Sequence, residues 1–273
     1  MSSFLIDNLG EPILANALQF AFKQATTEGK LTICLLLIVS MFSWTVIISK
    51  GRQILRALKM SKKFFAAYRS SRDPLEMFRK QLEFPGAPGN EVFYAGCEEL
   101  DYHIKNNPVM IKGETRVSMP SFESVKVSME RAVSTQAMSL EKSMIVLSTA
   151  VAGGPFIGLL GTVWGVMETF SSVAIAKQAS LTAMAPGVAG ALIATVVGLF
   201  VAIPAMFAYN YMVTTIRSIT QELDNFATEF VTAVEHKYVD NRPISEEIAD
   251  ALRNVQLSDR ATKSSRELAG SLG

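Results

Sequence analysis

The chain has 273 residues, 49% of them hydrophobic and 19% charged, and its 26 Lys and Arg nearly balance 25 Asp and Glu for a net charge of +1. That balance, with no Lys/Arg block interleaved with aromatics, argues against nucleic-acid binding. Cys34, Cys97, His103 and His236 stand at unrelated positions, so neither a disulfide nor a metal centre is expected, and no cofactor motif is present.

Distribution is more informative than total. The apolar residues concentrate in 31–49 and 143–213, while the intervening and terminal segments are ordinarily polar. This is the pattern of a membrane protein with a sizeable soluble part. Within residues 1–30, Ile6, Leu9, Ile13, Ala17 and Ala21 recur at helical spacing. They predict an amphipathic helix that either lies on the periplasmic membrane surface or packs on the protein's own body. A basic n-region is missing and the apolar run begins late, so a cleaved signal peptide is not expected.

Residues 31–49 are uncharged between Lys30 and Lys50, the length of one crossing, with Trp44 near a boundary. Then follow Lys50, Arg52, Arg56, Lys59, Lys62, Lys63, Arg69 and Arg72, with no acid before Asp73. The positive-inside rule puts this flank in the cytoplasm and the N-terminus outside. Residues 50–142 read as a cytoplasmic helical domain. Asp73-Pro74 predicts a helix start, 84–90 (FPGAPGN) a break, and Asn90 the cap of a helix to about Asn106. Residues 107–121 read as a loop. From Phe122 no Gly or Pro stops the helical pattern before the bilayer, which predicts one continuous helix ending near Phe170.

Between Lys142 and Arg217 the only charged residues are Glu168 and Lys177. The expectation is a hairpin of two membrane helices, 143–170 and 181–213, joined by a short periplasmic turn over 171–180. Residues 214–273 return to the cytoplasm. There Ile219, Leu223, Phe226, Phe230 and Val234 predict a helix from Ile216 to Val239, and the residues after Asn241 form a polar tail.

The hairpin carries small residues in stripes: Gly154, Gly158, Gly161 and Gly165 on one arm, and Gly187, Gly190, Ala191, Ala194, Gly198 and Ala202 on the other. Such stripes let helix backbones approach closely in lipid, within a protomer or between protomers. Thr162 and Thr195 each stand deep in apolar sequence. A lone threonine there commonly bonds the carbonyl one turn back, yet both could offer donor and acceptor atoms to water or to a partner's carboxyl group. Glu168 reads either as an acid at an external mouth or as an interfacial residue beside Lys177. No nucleophile–base grouping, P-loop or dinucleotide fingerprint is present, so an enzyme is not expected.

The strings PFIGLLGTVWGVM (155–167) and APGVAGALIATVVGLFVAIPAMFAYN (185–210) resemble the ExbB/TolQ family of proton-channel subunits, more distantly related to the flagellar stator protein MotA. The resemblance implies an all-α membrane protein of the bacterial inner membrane. Its three transmembrane helices and long cytoplasmic helical extensions would assemble as a pentameric bundle around a central pore. It implies a dimer of a single-span ExbD- or TolR-like partner inside the pore, bearing a membrane aspartate that faces Thr162 and Thr195, and a TonB- or TolA-like protein beyond. The work done would be outer-membrane uptake or Tol–Pal envelope maintenance. Where many such sequences carry a glutamate, in G-[IV]-A-E-A-L, this chain has Gly190, followed by Ala191, and the resemblance makes these two, with Glu168, candidate pore or mouth positions. The ion could therefore be proton or sodium. A stator-like motor for motility or secretion, and a non-conducting membrane scaffold, are the alternatives.

Overall fold

The computed structural model describes residues 27–111, 114–177 and 180–239. The amphipathic helix expected before Thr27 and the polar tail lie outside these residues.

Helix α1 (Thr27–Ser70) is 44 residues long, about 65 Å at 1.5 Å per residue. It joins the apolar run and the basic flank without interruption. Its first half exposes Leu35, Leu37, Ile38, Phe42 and Trp44, whereas its second half buries Ile54, Ala57, Phe64, Phe65 and Tyr68. The same helix therefore changes surroundings along its length. A one-turn helix α2 (Glu76–Arg79), the helix α3 (Pro88–Asn106) and a short antiparallel hairpin of β1 (Val109–Ile111) and β2 (Glu114–Arg116) follow. Then come α4 (Met119–Glu141), α5 (Met144–Ala176) and the 58-residue α6 (Leu181–Tyr238). Three helices, α1, α5 and α6, are long and apolar enough to cross a membrane, and at most 39% of each apolar window is buried within the chain.

The basic end of α1 packs with α3, α4 and the distal part of α6 around an aromatic core. Phe226 meets Phe64 and Tyr68 edge-on, with centroids 5.3 and 5.0 Å apart, and Phe93 meets Phe230 at 5.7 Å. Each such pair contributes about 0.5–1.5 kcal/mol beyond its area burial. The end of α6 is fastened to this bundle. Tyr238 donates its hydroxyl to Asp73 Oδ1 (3.0 Å), Lys237 Nζ lies 2.8 Å from Asp73 Oδ2, and Arg79 bonds both Asp73 and the Tyr238 oxygen. The Val117 N–H also donates to the Tyr238 carbonyl at 2.8 Å. Burial pushes the Asp73 carboxyl up, but donors from Lys237, the Leu75 N–H and Tyr238 outweigh it and hold the group below the usual carboxylate range.

Several expectations are corrected. The helix from Phe122 does not run on to Phe170: α4 stops at Glu141, and Ser143 takes a left-handed conformation (φ 72°) before α5 starts. A tertiary contact lies at the break. Lys50, 7% exposed, donates to the Ser139 carbonyl at 3.0 Å and so satisfies a last-turn acceptor at the negative end of α4. At its other end α5 continues to Ala176, so the turn begins at Lys177 (φ 53°), not at residue 171. The stretch 107–121 holds the β-hairpin and the first turn of α4, because Val109 to Ile111 pair with Glu114 to Arg116. Asn90 does not cap α3. The helix starts at Pro88, and the Asn90 side chain accepts the Phe84 N–H at 3.2 Å, closing the preceding loop. Asp73 accepts the Leu75 N–H at 3.0 Å, but the helix it opens is a single turn.

Candidate functional site

Helices α5 and α6 pack antiparallel along their small residues, and the contacts are backbone-close. A Cβ on Gly154 would lie 3.1 Å from the Gly198 carbonyl oxygen and 3.3 Å from the Ala202 Cβ. One on Gly158 would lie 2.9 Å from both the Ala194 oxygen and the Thr195 Cα, and one on Gly165 would lie 2.6 Å from the Ala191 Cβ. Gly187 faces the Thr169 hydroxyl, and Gly198 faces Gly154 and Gly158. With little hydrophobic drive between helices in lipid, this approach is what supplies dispersion contact.

Gly161 touches two helices at once. A Cβ there would meet the Ala194 Cβ at 2.5 Å and the Thr32 Oγ1 of α1 at 2.8 Å. Thr32 itself is buried and donates to the Gly29 carbonyl at 2.8 Å. Ile33, Ile193 and Ala194 form a small buried cluster beside it. So α1 lies against the hairpin, on the side away from its exposed apolar surface. Neither Thr32 nor Thr169 stood out in sequence. A small-residue stripe marks a contact face without saying which helix fills it.

The two threonines differ. Thr162 donates its hydroxyl to the Leu159 carbonyl at 2.7 Å, the ordinary arrangement for a threonine in a membrane helix. Thr195 does not: its Oγ1 is sheltered and has no hydrogen-bond partner among the described residues. A buried hydroxyl left unpaired costs about 1–3 kcal/mol. The Gly158–Thr195 and Gly161–Ala194 contacts put Thr162 and Thr195 in neighbouring layers of the same hairpin.

Ala191 is 2% exposed and packs on Gly165, so within the chain it is a packing residue of the hairpin and does not line an open surface. Gly190 beside it is also buried. No carboxylate occupies this level of α6. Glu168 is exposed on α5 and nine residues before Lys177, roughly 13 Å along the helix, so the two are not neighbours. Among the described residues no group of His, Cys, Asp and Glu could hold a metal ion.

Around this hairpin the apolar side chains that face outward are large: Phe156, Leu159, Val163 and Met167 on α5, and Leu199, Ile203 and Phe207 on α6. With three membrane-length helices, this is a multi-pass membrane protein.

Comparison with known proteins agrees with that architecture. The model of the MotA/TolQ/ExbB proton channel family matches residues 87–225, which include both hairpin helices as far as the extramembrane part of α6. The Tol-Pal system protein TolQ of Haemophilus influenzae is 35% identical over 228 residues, covering 81% of this chain and 95% of the relative. TolQ of Pseudomonas aeruginosa is 32% identical over 215 residues (78% and 90%), and the biopolymer transport protein ExbB of Pseudomonas putida is 28% identical over 216 residues (78% and 62%). Since the matched region takes in the threonine-bearing hairpin itself and the TolQ alignments run nearly end to end, the chain belongs to the MotA/TolQ/ExbB proton channel family.

Proposed function

We propose that this chain is the channel-forming subunit of an inner-membrane motor of the Tol–Pal type, in which proton flow through a multi-subunit pore drives envelope maintenance. The unpaired Thr195 hydroxyl carries the reading. A threonine that declines the backbone bond taken by Thr162 is one whose partner comes from elsewhere in the assembly. The family resemblance supplies that partner: a membrane aspartate on a TolR- or ExbD-like single-span protein, present as a dimer inside a pentamer of this chain. The chemistry suits a carboxyl group that gains and loses a proton. Thr162, its hydrogen already given to Leu159, can only accept, and so favours the protonated acid. Thr195, after turning its hydroxyl outward, can donate, and so favours the carboxylate. The large apolar faces of α5 and α6 provide the protomer contacts. The basic second half of α1, read by the positive-inside rule, supports a cytoplasmic soluble bundle and C-terminus and a periplasmic N-terminus.

The TolQ relatives align over more of their length and with higher identity than the Pseudomonas putida ExbB, which supports a Tol–Pal role over TonB-dependent uptake. One observation favours a second reading, a non-conducting scaffold: Gly190 leaves the membrane-spanning part of α6 without a carboxylate of its own. Ion flux into liposomes separates them, with the chain purified together with its single-span partner and proton and sodium gradients run separately. Proton flux in the parent, lost in Thr195→Ala and kept in Thr195→Ser, is the expected result. Parental flux in Thr195→Ala overturns the assignment of Thr195, sodium-only flux corrects the ion, and no flux with a partner variant that opens the pore leaves the scaffold.

A further inference from the structure

A second site lies away from the hairpin. Where α1 leaves its apolar run, a cavity of about 920 Å³ opens between α1, the start of α3 and the end of α4. Ser49, the last residue of the uncharged run, lines its mouth. Arg52 and Arg56, one helical turn apart on α1, line its wall, and among the described residues neither guanidinium has a hydrogen-bond or ion-pair partner. The nearby Lys50 is already committed to Gln53 and the Ser139 carbonyl, so it is not the open cation.

The rest of the wall is arranged around those two arginines. Gly86 sits at φ +89°, and a Cβ there would lie 3.0 Å from Arg56 Nε, so the backbone can lie directly against that guanidinium only because the residue is glycine. The N-terminus of the 19-residue α3 opens on the same cavity, and its cap residue Ala87 makes no side-chain hydrogen bond to it. Leu55, 57% exposed, and Leu140 add apolar wall beside the polar floor of Gln136 and Ser139. Above the mouth Ile48 is exposed on α1. Cationic donors below and apolar surface above, at the level where a membrane helix leaves the hydrocarbon, form an amphiphilic seat.

We propose that this cavity binds the phosphodiester headgroup of a membrane phospholipid, with Arg52 and Arg56 on the phosphate oxygens and the acyl chains lying along the exposed apolar face of α1. Guanidinium suits this ligand because its planar fork matches two phosphate oxygens. Glu91 on the wall of the cavity sets the charge class. Two arginines and one glutamate leave one net positive charge, which fits a singly charged phosphodiester better than a doubly charged free phosphate. The site would hold α1, α3 and α4 together at the membrane surface whether or not the pore conducts.

Native mass spectrometry of the delipidated full-length chain, resupplied with phosphatidylglycerol in detergent, tests this. The expected result is retained lipid whose apparent affinity falls at least about tenfold in the Arg52→Gln/Arg56→Gln double variant. Removing equal charge from the same helix outside the cavity, in Lys59→Gln/Lys62→Gln, should change it less than about threefold. Glu91→Gln should raise retention severalfold, which keeps the idea testable if the arginine variant fails to fold. Three outcomes overturn the proposal: equal losses in the two double variants, no response to Glu91→Gln, or displacement of the lipid by millimolar inorganic phosphate, which would mark a free-phosphate site.

Discussion

Two glycines five residues apart on α5 should respond oppositely to the same substitution. At Gly158 an added methyl would lie 2.9 Å from the Ala194 carbonyl oxygen and from the Thr195 Cα, both backbone atoms that no rotamer change can move. Relief requires α6 to move outward by roughly 0.5–1 Å, and a gap of that size forfeits about a quarter to a half of each affected dispersion contact. Overpacking of this kind costs about 1–3 kcal/mol, from which the better helix propensity of alanine returns about 1. Gly158→Ala should therefore range from near neutral to about 2 kcal/mol destabilising. At Gly153 nothing lies within 4 Å of the added methyl, so only the propensity gain of about 1 kcal/mol remains. The two variants should differ by about 1–3 kcal/mol in reversible unfolding by a denaturing detergent, followed by circular dichroism. Because the Gly158 contact falls on Thr195, Gly158→Ala should also lower proton flux while Gly153→Ala leaves it unchanged. Equal stability of the two variants would refute the backbone-contact account of the hairpin.

Other expectations follow from contacts outside the hairpin. Lys50→Met removes the side-chain donor from the last turn of α4, and amide exchange across 138–146 should rise while exchange in α3 is unchanged; unaltered exchange there would mean the break at Ser143 does not depend on Lys50. The contribution of Asp73 to fastening the end of α6 should be full above its unfolded pKa of about 3.9 and be lost as pH falls through its lower folded value. Lys237, raised chiefly by its bond to Asp73, contributes below its ordinary value and loses that only above it, so the fastening should be flat through neutrality. Protection of the amides at the end of α6, taken relative to their intrinsic exchange rate at each pH, should therefore fall below about pH 4, and Asp73→Asn should abolish that dependence. Tyr238→Phe, which deletes one hydroxyl bonded to both Asp73 and Arg79, should destabilise the bundle by about 1–2 kcal/mol in the same unfolding assay.

The three long apolar helices were legible because length and lack of charge are sufficient signals, as at 31–49. What escaped was set by distant partners. Nothing local stops the helix at Lys142, since the lysine that takes the Ser139 carbonyl lies 89 residues away in sequence. Asn90 carries the chemistry of a helix cap, yet its side chain is spent on the Phe84 N–H instead. The three-residue strands at Val109 and Glu114 are too short to show a period. At the site, the positions of Thr162 and Thr195 could be read from the GLLGTVWG and ALIATVVGL strings, but the difference between them could not. Identical residue types in similar apolar strings make different hydrogen bonds here, a difference that neighbours in sequence do not encode.

The unbroken run of α6 has a mechanical meaning. From Arg217 to its fastening at Tyr238 the helix extends roughly 30 Å past the apolar hairpin at 1.5 Å per residue. A tilt of about 5° at the hairpin end would swing that far end by about 3 Å over such a lever arm. Its neighbour, by contrast, is two rods meeting at Ser143. The chain thus sets an unbroken helix beside a jointed pair. On helix geometry alone, bending would fall more easily at the Ser143 elbow than along the continuous α6, which ends in the aromatic bundle.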